Sequence, residues 1–282
     1  MLRREWLTMA GAAWAGGAVK MGLVADVQYA DQPQAGARAY RESLQKLRIC
    51  AEWFNGRKLD FAIQMGDLTD GGAENLARAA AGWLAVRTRR YDVIGNHDAG
   101  MAREAMLQGL GLKSGWYSFA AGGWRMVVLD CSDASVMAAA LHREEGTALL
   151  RAAQKNAFEW NGGLSREQMG WFRDTLADAK KRRQRALVFC HQPLIAAACR
   201  PEHLLLNHAE VVGAMEESGV VAACFAGHDH KGGFAAQKGI QYLTLQGLVE
   251  NKPEDCAAVA ELGPEIIVRW MGGRELRLAR GA

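Results

Sequence analysis

Residues 20–28 read KMGLVADVQ, a short apolar run that ends in a carboxylate and, two residues on, an amide. Lys20 to Ala25 is compact and apolar, so it reads as a buried strand. Gln34 to Asn55 follows with helical spacing, Leu44, Leu47 and Ala51 falling on one face. The alternation then repeats. Phe61 to Met65 is a second buried strand, Ala73 to Val86 an Ala-rich helix, Tyr91 to Ile94 a third strand and Ala99 to Leu110 another helix. This β-α-β-α-β order implies a mainly parallel sheet covered by helices.

Beyond it, Trp116 to Ala120 and Arg125 to Leu129 read as strands joined by the turn Ala121-Gly122-Gly123. A polar, helical stretch runs on to about residue 158. Ser165 to Lys181 is a helix that opens with the capping box Ser165-x-x-Gln168 and carries Met169, Phe172 and Leu176 on one side. Strands at Leu187 to Cys190 and Val220 to Phe225 flank a helix at Asn207 to Ser218. Short strands fill the tail, among them Gln241 to Leu245 and Ile266 to Trp270. No internal repeat or low-complexity segment interrupts the chain. The expected architecture is α/β, two packed sheets with helices outside.

The bulk numbers exclude several classes. A chain of 282 residues, 50% of them apolar, can bury a large core, and no linker-like stretch divides it. Five prolines argue against disordered segments, and a net charge of +3 does not indicate a nucleic-acid partner. The basic runs Arg87 to Arg90 and Lys180 to Arg185 fall at helix ends or before strands, where a solvated face is the simpler reading. Six cysteines form no CxxC pair, which argues against a zinc ribbon or disulfide scaffold; Cys50, Cys190 and Cys224 lie in apolar runs and read as core. No stretch after the N-terminus is long and apolar enough to span a bilayer. Arg3 and Arg4 precede a short apolar stretch, Trp6 to Ala18, and RREWL resembles a bacterial twin-arginine export signal. Residues 1–18 are therefore expected to be a signal segment of an exported, periplasmic protein, with a cytoplasmic start as the alternative, and residues 19–282 the catalytic domain.

Five short clusters each close a strand: Asp26-Val27-Gln28, Gly66-Asp67-Leu68-Thr69-Asp70, Gly95-Asn96-His97-Asp98, His191-Gln192-Pro193 and Gly227-His228-Asp229-His230. The carboxyl ends of strands are where α/β proteins assemble sites. In extended chain, residues two apart point the same way, so Asp26 and Gln28 can face one ion. Each cluster also has a plainer reading: an Asp after a strand is often a turn former or cap, and His-x-His is often surface. Their combination decides, because four of the seven histidines fall in these clusters. His142, His203 and His208 lack such a setting and read as surface or structural.

Chemistry gives this set a purpose. Hydrolysis of a phosphodiester or pyrophosphate needs a nucleophile at neutral pH and neutralisation of the non-bridging oxygens, which two cations about 3.5–4 Å apart supply. A carboxylate between the ions lowers their repulsion, and Asp67 is the natural bridge. Mixed oxygen and nitrogen ligands suit manganese, iron, zinc or similar ions rather than calcium. His97, beside a ligand but pointing elsewhere, is placed to give a proton to the leaving oxygen.

The order DxQ, GDxxD, GNHD, H and GHDH resembles the calcineurin-like metallophosphoesterases. Their usual first motif is D-x-H; Asp26-x-Gln28, in the string GLVADVQYAD, is similar to that of the manganese-dependent ADP-ribose/CDP-alcohol diphosphatase branch. Tyr40-Arg41-x-Ser43-Leu44, Leu129-Asp130 with Asp133, the run Trp160 to Gln168, Asn207, and the run Leu245 to Glu250 extend the likeness from residue 20 to the end. The resemblance implies a four-layer α/β/β/α sandwich. It implies metal ligands Asp26, Gln28, Asp67, Asn96, His191, His228 and His230, with Asp67 bridging. Asp26, Gln28 and His230 would hold one ion; Asn96, His191 and His228 the other; a bridging hydroxide would attack phosphorus, and His97 would be the general acid. The harder, neutral amide of Gln28 tilts its ion toward Mn²⁺ or Mg²⁺. The implied substrate is a small phosphate compound, a nucleotide-type diphosphate. A cyclic-nucleotide or general phosphodiesterase is the first alternative, a phosphoprotein phosphatase or a non-catalytic metal or nucleotide binder a lower one. Asp98, where the branch often has Glu, and a short segment between Met101 and Trp116 depart from the pattern and bear on the substrate, since loops shape the pocket.

Overall fold

β1 (Val19–Val24) runs through the first of two six-stranded sheets, every residue but Lys20 buried. The computed structural model describes residues 18–153 and 157–278, so nearly all of the export-like segment lies outside the described residues. From β1 the chain passes through α1 (Ser43–Asn55), β2 (Phe61–Gln64), α2 (Ala73–Trp83) and β3 (Arg89–Asp92), and the three strands lie parallel and side by side. After α3 (Arg103–Leu110) it crosses to the second sheet, which opens with the hairpin β4 (Tyr117–Ala121) and β5 (Trp124–Val128). There follow α4 (Arg143–Ala152), α5 (Arg166–Lys181), β6 (Arg185–Phe189), α6 (His208–Ser218), β7 (Val221–Ala226), β8 (Gly233–Gln237) and β9 (Ile240–Thr244). The spatial order is β4-β5-β6-β7-β9-β8, with β5, β6, β7 and β9 parallel. The short α7 (Pro253–Cys256) then returns the chain to the first sheet, where β10 (Ala258–Leu262), β11 (Ile266–Trp270) and β12 (Glu275–Leu278) add antiparallel strands beside β1.

Strand alternation sorts the side chains into layers. Met21 and Leu23 of β1, Phe61 and Ile63 of β2, Met126 and Val128 of β5, and Phe225 of β7 meet between the sheets. The opposite faces carry the helices: Val24 and Ala62 pack on Leu47, Phe54 and Trp83, while Val127 and Val188 pack on Phe172, Leu176 and Met215. The result is the expected α/β/β/α sandwich. Each fully buried Leu, Phe or Met contributes on the order of 1.5–3 kcal/mol of transfer free energy.

Local departures have local causes. The helix expected from Gln34 begins only at Ser43, because Ala35 and Arg38 pair with each other across Gly36, which has φ +59°. The helix expected from Ala99 breaks into a 3₁₀ turn at Asp98–Gly100 and α3, with Met101 extended between them. At α5 the capping box is half made. Ser165 accepts from the Gln168 amide N–H at 3.1 Å, but the Gln168 side chain instead bridges both backbone groups of Asp130 and the Asp133 carboxylate. All six cysteines are free, Cys50, Cys190 and Cys224 among the buried ones. Among the described residues no helix is long and apolar enough to cross a membrane.

One buried carboxyl yields a stability prediction. Asp92, at the end of β3, accepts from Gln64 Nε2 at 3.2 Å, and burial pushes its carboxyl from 3.8 up to about 7. Between those values the folded state binds more protons than the unfolded chain, so stability falls as pH rises through that window. Asp92→Asn is expected to remove that slope, gaining on the order of 2–4 kcal/mol relative to wild type by pH 8. Denaturant unfolding at pH 4.5 and 8 measures it, and parallel pH slopes for the two proteins would count against the assignment.

Candidate metal centre

Parallel strands deliver their carboxyl ends to one edge of the sandwich. Asp26 and Gln28 follow β1, Asp67 follows β2, Asn96 and His97 follow β3, His191 follows β6, and His228 and His230 follow β7. The loops are laced together. Gln28 N donates to Asp67 O at 2.8 Å, Gly227 N to His191 O at 3.0 Å, and His228 N to both Asp26 carboxylate oxygens at 3.0 and 3.1 Å. Asp26, Gln28, Asp67 and His228 all have positive φ, from 43° to 69°, unusual for residues other than glycine. Such strain persists only where the surroundings over-determine the backbone, and here it aims side chains across the edge.

The side chains converge. His191 Nε2 lies 3.3 Å from Asp67 Oδ2 and 3.0 Å from Asn96 Oδ1. His230 Nε2 lies 3.4 Å from Asp26 Oδ1, and Gln28 Nε2 reaches Asp67 Oδ2 at 3.0 Å and His230 Nε2 at 3.3 Å. Ligand atoms of Asp67, His191 and His228 fall within 4.8 Å of one another. Gln28, Asp67, Asn96, His97, His228 and His230 line a pocket of about 460 Å³; Asp26 and His191 sit fully buried behind them. The approach is close enough to exclude a methyl group: a Cβ on Gly66 would lie 2.4 Å from His191 Nδ1.

The electrostatics call for cations. His191 and His230 are pulled down by burial, yet Asp67 raises the first and Asp26 with Glu250 the second, each to about 10. Burial and the charge of His191 hold His228 well below the usual histidine range. Asp67 is held well below the carboxylate range by His191 and His97 in spite of its burial. In the protein alone, then, protons on two histidines supply the positive charge that the carboxylates demand. Two buried atoms of the cluster, Gln28 Oε1 and His228 Nε2, have no hydrogen-bond partner. Orphaned buried acceptors are costly, and a cation held by the cluster would relieve His228 Nε2 directly. The donor set therefore fits a metal centre, with a half-turn of the Gln28 amide exchanging its oxygen for its nitrogen.

A surrounding shell fixes the imidazoles. His191 Nδ1 donates to Met65 O at 2.8 Å and His230 Nδ1 to Glu250 Oε1 at 2.9 Å, leaving each Nε2 toward the site. Asp229 is gripped by Arg200 through backbone N and guanidinium, at 2.7 to 3.0 Å. Asp98 accepts from Thr69 N and Gly95 N, tying two of the loops together; burial and the Asp67 charge push it up to about 7. His97 donates its backbone N–H to Asp67 at 2.9 Å, and its Nδ1 lies 2.6 Å from Asp70 Oδ1.

Several pocket residues escape a reading of the sequence. Asp70 belongs to a noticed motif, but its pairing with His97 is invisible in one dimension. Arg38 lines the pocket from the stretch read as helix. His203, read as surface or structural, instead lines the pocket with its ring centroid 5.0 Å from that of His228. No motif marks it. Asn161 and Asn207 serve as braces: Asn161 donates to Glu202 O and Leu204 O, and Asn207 bonds both backbone groups of Leu164.

Comparison with known proteins agrees with this geometry. Residues 19–232 match the model of the calcineurin-like phosphoesterase family. The manganese-dependent ADP-ribose/CDP-alcohol diphosphatase of Arabidopsis thaliana is 30% identical over 82% of this chain and 86% of its own, and that of Oryza sativa subsp. japonica 29% identical over 82% and 84%. A dimetal phosphatase from Danio rerio superposes with a TM-score of 0.83 at 26% identity, covering 93% of this chain and 99% of its own. With buried carboxylates, histidines and amides gathered at one strand edge, the chain belongs to the calcineurin-like phosphoesterase family and is a metal-dependent phosphoester hydrolase.

Proposed function

We propose that this enzyme hydrolyses the diphosphate bond of nucleotide-type substrates such as ADP-ribose or CDP-alcohols, with Mn²⁺ as the preferred ion. The observation that carries the reading is the buried amide of Gln28 in a cluster otherwise of Asp, Asn and His, in a chain similar to proteins of that name. Asp26, Gln28 and His230 would hold one ion, Asn96, His191 and His228 the other, and Asp67 both. When bound, such ions neutralise phosphate oxygens and lower the pKa of water toward 7.

The chain's own residues do the rest. Asp70 holds His97 Nδ1, leaving Nε2, 3.9 Å from Asp67 Oδ2, as the nitrogen that carries the transferable proton when the ring is an imidazolium. Water adds to one phosphorus and gives up a proton to solvent, the bridging P–O bond breaks, and His97 protonates the departing phosphate oxygen and is reprotonated from solvent, giving two phosphate monoesters. Arg38, tied to Glu250 at 3.4 Å, offers the second phosphate a guanidinium.

A metal-stripped preparation tests the reading. Activity on ADP-ribose is expected to fall by at least about 100-fold on stripping and to return with Mn²⁺ more fully than with Zn²⁺. AMP should appear from ADP-ribose, and CMP from CDP-choline, faster than product from cyclic AMP or a nitrophenyl diester. Greater restoration by Zn²⁺, or faster turnover of cyclic AMP, overturns the assignment in favour of a general phosphodiesterase.

A further inference from the structure

Two exposed aromatic rings stack on each other, and one of them, Trp160, lines the pocket. Phe158 and Trp160 are 42% and 40% exposed, two of only five large apolar side chains so open among the described residues. Single exposed apolar residues are ordinary. These two are not independent: their rings stack with centroids 4.2 Å apart and planes within 6°. Trp160 lines the same pocket as Asp67, Asn96 and His97, with Phe158 stacked against it.

The backbone beneath the pair is also pinned. Asn161 Oδ1 accepts from Phe158 N at 2.8 Å, while its amide nitrogen is spent on Glu202 O and Leu204 O. Gln192, the residue after His191, donates from Nε2 to Trp160 O at 2.8 Å and accepts from Gly162 N at 3.0 Å. A side chain adjacent to a residue of the metal cluster thus sets the position of the aromatic ledge. A flat, pre-positioned ring beside a phosphate-cleaving centre matches a ligand with a planar group at a fixed reach from its phosphorus. The pocket, about 460 Å³, is of ligand size, and Arg38 supplies a cation within it.

We infer that Trp160, backed by Phe158, is the stacking platform for the purine or pyrimidine base of the substrate, and so sets the preference for nucleotides over base-free diphosphates. The inference rests on the diphosphate reading above. Every base has a π-face, so the platform accepts adenine and cytosine alike.

The test isolates the base. The Mn²⁺-loaded enzyme is titrated calorimetrically with AMP and with ribose 5-phosphate, which carries a hydroxyl at C1 in place of the base. Wild type is expected to bind AMP about 5- to 100-fold more tightly, the range a single base–aromatic stack supplies. In Trp160→Ala the ratio should collapse to within about twofold with ribose 5-phosphate affinity retained, whereas Trp160→Phe keeps most of it. Equal affinities in wild type, or an undiminished ratio in Trp160→Ala, overturn the inference. So does equal weakening of both ligands in Trp160→Ala. Turnover of ADP-ribose by wild type is scored separately. Inactivity with a Trp160-dependent AMP preference sinks the diphosphatase reading and leaves the platform standing; activity without that preference does the reverse.

Discussion

His97→Ala is expected to lower kcat by on the order of 10²–10⁴, the usual contribution of a positioned general acid, while leaving the metal content intact. His97 Nε2 is 3.9 Å from Asp67 Oδ2, at the border of the metal cluster, and its ring faces the pocket. Its proton is kept by circumstance. Burial pulls the imidazolium down, but Asp67 and Asp70 together raise it above the ordinary histidine value. A general acid works protonated, so kcat should fall as pH rises through the His97 pKa of the metal-loaded enzyme. Asp70→Asn removes one of the two supporting charges and should move the alkaline fall to lower pH, with a smaller loss at the optimum. Metal analysis and a kcat–pH profile of the three proteins read this directly. A His97→Ala enzyme with both ions and kcat within about threefold of wild type would falsify the role.

Gly95→Ala is expected to cost as much activity as removing a ligand, on the order of 10³-fold, although residue 95 has no chemistry of its own. A Cβ there would lie 2.0 Å from Asp67 Oδ1 and 2.2 Å from Asp67 N, where ordinary contact needs about 3.4 Å. Neither atom can retreat. The backbone N is anchored in the loop after β2, and the same carboxylate oxygen accepts from His97 N. Asp67 must therefore swing out of place and take its contacts with His191 and Gln28 along. The measurement is bound metal per chain by elemental analysis, with kcat and thermal unfolding alongside. Gly213→Ala is the control, since a Cβ within α6 meets nothing within 4 Å and should stabilise the helix by about 1 kcal/mol. A Gly95→Ala enzyme that keeps full metal content and turnover would show that the loops yield more easily than their packing suggests.

The sequence by itself determined the layered fold and the cluster of ligand-type residues. Both are written in consecutive residues: short buried apolar runs such as Phe61 to Met65, each ending in a carboxylate, amide or imidazole, with glycine where chains approach closely. Parallel strands must then bring those ends to one edge, so Asp26, Asp67, Asn96, His191 and His228 could be gathered without coordinates. Local periodicity failed where a local contact overrode it, as at Ala35 and Arg38, whose pairing across Gly36 stops the expected helix short. Tertiary structure alone decided that Asp70 faces His97, that Glu250, after β9, meets His230, after the neighbouring β7, that His203 enters the pocket, and that Gln192 reaches the Trp160 ledge. It alone placed β10 against β1, far along the chain. The positive φ angles at Asp26, Gln28, Asp67 and His228 are likewise unreadable in one dimension, because Asp and His tolerate that region without requiring it. They are imposed by hydrogen bonds and packing from distant segments, and such contacts exist only once the path of the whole chain is set.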